Sequence, residues 1–88
     1  VQRVAVGGDS CGSAIDEVLA AGCATLVTAD LKYNHFEEAK YRGLNLIDAG
    51  HFETENPVCA VLARILCEAL PDVRVLRSNV HKDETQFL

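Results

Sequence analysis

The segment LIDAGHFETENP, residues 46–57, is where an apolar run stops and a helical pattern begins. Leu46 and Ile47 belong to a branched apolar stretch that closes on Asp48 and Gly50. His51 follows, with Glu55 four residues later, and Asn56–Pro57 then carries the start signal of a helix. Proline suits the first helical position because its missing N–H would have no intrahelical partner there. A strand that hands over to a helix through a short polar turn is half of a βαβ unit.

The same pattern recurs on either side. Branched apolar runs lie at RVAV (3–6), ATLVTA (24–29), LNLIDA (44–49) and VRVLRS (73–78). Helical patterns separate them. SAIDEVLAAG opens with Ser13, has Asp16 three residues on in the manner of a capping box, and stops at Gly22. HFEEAKYRG ends at Gly43, and ENPVCAVLARILCEAL ends before Pro71. The predicted order is therefore βαβαβαβ, an α/β fold of three-layer type with a mainly parallel sheet. Eighty-eight residues suit a single small domain, 1–88, with one modest core.

The third helix is apolar almost all round. From Val58 to Leu70 only Arg64 and Glu68 are charged, and they share one narrow seam. A surface helix normally keeps about half of its circumference polar. This one is expected to be covered on more than one side, by further protein or by other subunits. The chain also lacks methionine, and removal of the initiator by processing and a part of a longer polypeptide fit this equally well.

Composition is 49% hydrophobic and 24% charged, which is globular. The net charge is −5, with eight Lys and Arg scattered among thirteen acids, so no basic face is expected and nucleic acid is not the expected partner. There is no apolar run of membrane-spanning length and no signal-peptide pattern at the start, so a cytoplasmic protein without membrane contact is expected. Cys11, Cys23, Cys59 and Cys67 form no C-x-x-C pair, which favours buried, reduced thiols over a zinc knuckle or redox pair. Cys11, in a loop before a helix, is the one placed to be reactive.

In a parallel sheet every strand-to-helix loop leaves at the same rim, where ligands of open α/β folds bind. Three loops meet there. GGDSCGS (7–13) precedes a helix N-terminus and suits an anion, although it fits no named phosphate fingerprint and serves equally as a tight turn. TADLKYNH (28–35) offers Asp30, Lys32 and His35, of which Asp30 suits a helix cap and Lys32 a solvated charge. DAGHFETE (48–55) carries His51 and Glu55. Imidazole and carboxylate are standard ligands for zinc, manganese or iron. On one helical turn the two share a face, separated by roughly 6 Å of axial rise. A glutamate early in a helix is also favoured by the macrodipole with no metal involved. Two ligands make only part of a metal centre, since catalytic sites use three or more.

VAVGGDSCGS (4–13), LVTADLKYNHFEEAKYRGLNLIDAGHFETE (26–55) and a terminal Ser78…Phe87 tail together resemble the C-terminal half of the Nif-three-like dinuclear metal-centre family, also described as GTP cyclohydrolase I type 2 homologues. IDAGH-x-x-TE (47–55) is the most specific part. The resemblance implies a longer protein of which this is the second half, and two divalent ions held between the halves. His51 and Glu55 match the family's C-terminal ligands, the other His and Asp ligands coming from the first half. It also implies hexameric rings and a metal-dependent, GTP cyclohydrolase-like hydrolysis of a small-molecule substrate. The chain departs from the family where GGDSCGS replaces a serine-rich GGSGS, and where Asn34 follows Lys32–Tyr33 with His35 one place later. The alternatives are a nucleotide- or phosphate-binding module built on GGDSCGS, and an oligomeric scaffold with a structural metal.

Overall fold

A computed structural model describes residues 3–87. Strands β1 (Val4–Val6), β2 (Thr25–Thr28) and β3 (Asn45–Asp48) form a parallel sheet in the order β1-β2-β3. The register sets Ala5 beside Leu26 beside Leu46, and Val6 beside Val27 beside Ile47. Successive side chains point to opposite faces, so these two rows lie on different sides of the sheet.

Helices α1 (Ile15–Ala20) and α2 (Tyr33–Arg42) cover the Leu26 face. Ile15 and Val18 of α1 and Ala39 of α2 form the buried core with Leu26 and Leu44, and Leu19, Cys23 and Leu46 pack around them. Two crossovers of the same hand between adjacent strands put both helices on one side. Gly22 (φ 74°) and Gly43 (φ 76°) then turn the chain out of each helix in the left-handed conformation that glycine adopts at least cost.

On the Val6 face the outer strands are open, although Thr25 of the central strand is buried there. Val6 is 79% exposed and Ile47 49% exposed, so no helix among the described residues covers the outer strands on this side. Parallel sheets are ordinarily covered on both faces. Helix α4 (Val58–Ala69) contains no buried residue, and Val61, Leu62, Ile65 and Leu66 are each 44–50% exposed. The expected cover of this helix is not supplied by the described residues. The radius of gyration, 17.2 Å, exceeds the about 12 Å of a compact domain of this length.

Three local expectations are corrected. Residues 73–78 form no strand. Helix α4 packs little against the sheet, so it does not set the chain that follows beside a strand edge. The helix expected from Pro57 is preceded by a separate turn of helix, α3 (His51–Glu55), with Asn56–Pro57 as a turn between it and α4. At the first helix Ser13 caps nothing: it lies in a single 3-10 turn, Gly12–Ala14, and the N-cap of α1 is Ala14 with no side-chain bond.

The thiols are less buried than expected. All four are free; Cys11, Cys23 and Cys59 are half-buried and Cys67 is exposed. No helix among the described residues is long and apolar enough to cross a membrane.

Candidate metal centre

Three loops leave the carboxyl ends of β1, β2 and β3 and knit together by hydrogen bonds. Thr28, 1% exposed at the end of β2, is the pivot of the first two. Its Oγ1 donates to the Asp9 carbonyl at 2.7 Å and accepts the Cys11 N–H at 3.0 Å. Ala29 N–H also donates to the Asp9 carbonyl, and the Ser10 hydroxyl donates to the Asp30 carbonyl at 3.1 Å. Asp9 (φ 61°) and Asp30 (φ 51°) both hold left-handed backbone, uncommon for a residue with a Cβ.

Asp48 joins the second loop to the third. Its Oδ2 accepts the Leu31 N–H and its Oδ1 the Gly50 N–H, each at 3.1 Å. Gly50 (φ 83°) starts α3, and a Cβ there would collide with the Glu53 carboxylate. Its carbonyl accepts both the Thr54 N–H and the Thr54 hydroxyl, which closes the short helix.

This framework places His51 among three carboxylates. Nδ1 meets Asp30 Oδ2 at 2.5 Å, with Asp9 Oδ1 at 3.6 Å, and Nε2 lies 2.9 Å from Glu55 Oε2. A carboxylate only accepts, so the Nδ1–H donates to Asp30. That bond first, against the opposing effect of burial and with the charges of Glu55, Asp30 and Asp9 adding to it, raises the His51 pKa above its ordinary value of 6.5. While protonated, the ring also donates from Nε2 to Glu55. Once neutral, with its proton on Nδ1, the ring would present a lone pair to a carboxylate at 2.9 Å. Two acceptors facing each other repel unless a cation lies between them. Metal–nitrogen and metal–oxygen bonds of about 2.0–2.2 Å would set two donors of one ion about 3–3.5 Å apart, from octahedral to tetrahedral angles. The donor types and their spacing fit a divalent ion.

His51 and Glu55 are therefore brought together as the spacing predicts, both on α3. Asp9 and Asp30 were not among the predicted site residues. Asp30 was read as suited to a helix cap, but the N-cap of α2 is Lys32. The legible signal was their position on the shared rim. Asp9, Asp30 and His51 are the group among the described residues whose ligand atoms lie within 4.8 Å of one another. His35 turns elsewhere: its Nδ1 accepts the Lys32 N–H at 3.0 Å, and its ring lies against Gly12. In GGDSCGS the Ser10 N–H is taken by the Asp9 carboxylate and the Cys11 N–H by Thr28. Those two amides are not turned outward to an anion.

An open cleft of about 960 Å³ adjoins the histidine, lined by His51, Phe52, Glu55 and Val58 and by His81 and Phe87 of the tail. Among its lining residues the His81 and Phe52 rings pack together, centroids 5.1 Å apart.

The fold and site define a parallel α/β unit with a histidine–carboxylate cluster on its ligand-binding rim. Residues 1–84 match the family described as Duf34/NIF3 (NGG1p interacting factor 3), and the chain belongs to that family. It is 41% identical over 87 residues to a GTP cyclohydrolase 1 type 2 homolog of Nostoc sp., covering 99% of this chain and 33% of the relative. It is 44% identical over 69 residues to the protein of that name from Streptomyces coelicolor, covering 77% of this chain and 24% of the relative. A crystal structure of the Staphylococcus aureus hypothetical protein SA1388 superposes with a TM-score of 0.77 at 25% identity, over 97% of this chain and 29% of that one. The chain thus spans between a quarter and a third of the length of these relatives.

Proposed function

We propose that His51 and Glu55 are ligands of a divalent metal centre in a metal-dependent hydrolase, completed by residues outside these 88. The carrying observation is the 2.9 Å gap between Nε2 of His51 and Oε2 of Glu55. A cation resolves the repulsion there that a neutral ring would otherwise suffer. Two ligands do not make a catalytic site, and a dinuclear centre of the kind the family resemblance implies needs more donors than this edge supplies. Zinc, manganese and iron all suit an imidazole–carboxylate set.

A bound divalent ion lowers the pKa of coordinated water towards neutrality and polarises an electrophile. The chain's own residues then act around it. His51 and Glu55 would hold the ion beside the cleft, and Phe52, Val58 and Phe87 give that cleft apolar lining suited to a ring-bearing small molecule. Relatives carry the name GTP cyclohydrolase 1 type 2 homolog, which supports a purine nucleotide as the first substrate to assay. Self-association, with a hexamer as the form to look for, is part of the same reading. It draws on the exposed apolar flank of α4 and the open outer strands of the Val6 face.

The test is the metal content of the complete protein. His51→Ala and Glu55→Ala should each lose bound metal measured by elemental analysis after dialysis, and variants that keep the wild-type stoichiometry would refute the assignment.

A further inference from the structure

We propose that Asp30 is a positioning residue that fixes the ring and tautomer of His51, so that Nε2 and not Nδ1 is the metal-ligating nitrogen. The inference rests on the metal reading above and deepens it. A ligating histidine commonly donates its other ring N–H to a carboxylate, which sets the tautomer and raises the basicity of the ligating nitrogen. Here that carboxylate comes from a loop 21 residues away, so the contact is a product of the tertiary fold.

Four features select Asp30 for this role. It approaches Nδ1 at 2.5 Å, whereas Asp9 stands off at 3.6 Å with the same Oδ1 already accepting the Ser10 N–H. It has no competing duty as a cap, because the N-cap of α2 is Lys32. Its carbonyl is pinned by the Ser10 hydroxyl, which holds the left-handed residue in place. Finally, Asp48 grips Leu31, next to Asp30, and Gly50, next to His51, with the two oxygens of one carboxylate. One side chain thereby sets the spacing of the two residues that meet. The remaining ring nitrogen faces Glu55.

The experiment uses the complete protein and Zn²⁺ alone as the probe, with affinity read by competition with a chromophoric chelator. Imidazole tautomers are read from long-range ¹H–¹⁵N NMR correlations. The wild type should carry its His51 proton on Nδ1 and bind zinc through Nε2. Asp30→Asn should lose about 10–100-fold in affinity, and Asp30→Glu should recover part of the loss. Zinc bound through Nδ1, or wild-type affinity in Asp30→Asn, overturns the proposal. Should Asp30→Asn fail to fold, the wild-type tautomer decides alone. The two readings fail differently: wild-type zinc binding in His51→Ala removes the metal reading itself, and the positioning role with it. Loss in His51→Ala without loss in Asp30→Asn removes only the positioning role.

Discussion

His51 and Glu55 face each other across one turn of α3, Nε2 to Oε2 at 2.9 Å. In the metal-free protein that gap is spanned by a proton. The raised pKa of His51, due first to Asp30, means that the folded state binds this proton more tightly than the unfolded chain does. Its stabilising effect is therefore complete below the unfolded value of about 6.5, and it is lost as pH rises through the higher folded value. Denaturation midpoints of metal-free wild type and His51→Gln, compared on both sides of neutrality, should differ more in mild acid than in mild base. A difference that grows with pH would contradict the assigned proton. Zinc affinity should run the other way, rising as the ring loses its Nε2 proton.

Thr28 joins the first two loops with one hydroxyl. Thr28→Val keeps the shape but leaves the Cys11 N–H and one bond to the Asp9 carbonyl unmet. A loss of about 1–3 kcal/mol is expected in urea denaturation, with Thr28→Ser much closer to wild type. Equal losses in both would show that the methyl group, and not the hydroxyl, matters at this 1%-exposed position.

Gly12 is buried beneath the ring of His35, and a Cβ there would overlap that ring. Gly12→Ala should cost about 1–3 kcal/mol through overpacking. The double variant Gly12→Ala/His35→Ala should recover part of the loss, since it removes the obstructing ring. No recovery in a double-mutant cycle would place the strain in the backbone instead.

Leu26 and Leu66 are chemically identical and structurally unlike. Leu26 is 1% exposed in the central strand, and Leu66 is 44% exposed on α4. Leu26→Ala should lower stability by about 2–5 kcal/mol. In the 88-residue chain Leu66→Ala should cost well under half of that. A larger cost for Leu66→Ala in the complete protein would locate cover over α4 supplied from elsewhere.

The loss expected of Asp48→Ala differs in kind. Removing this carboxylate leaves the Leu31 and Gly50 amides to solvent, so stability should fall by only about 1 kcal/mol. Zinc affinity should fall further than that stability change suggests, because Asp30 and His51 lose their common clamp. Undiminished affinity in Asp48→Ala would separate the clamp from the site.

How much of this was legible beforehand varies with the range of the interaction. Val4–Val6, Thr25–Thr28 and Asn45–Asp48 fall within three of the four predicted apolar runs, and Gly22 and Gly43 end their helices as read. VRVLRS failed because its composition suits a strand while strand formation needs a neighbouring edge, and α4 does not set these residues beside one. Ser13 failed as a cap because a 3-10 turn moved the start of α1 beyond it. Asp30 was misread as suited to a cap because nothing local distinguishes a capping aspartate from one that reaches across to another loop.

The order of amino acids alone determined the parallel strand–helix alternation and the pairing of His51 with Glu55, since both depend on periodicities and spacings only a few residues long. The tertiary structure alone decided that Asp9 and Asp30 converge on Nδ1 of that histidine, that the outer strands stay open on one face of the sheet, and that residues 73–78 remain unpaired. Those outcomes depend on which loops and edges come together across 20 or more residues, and no short-range pattern encodes such a meeting.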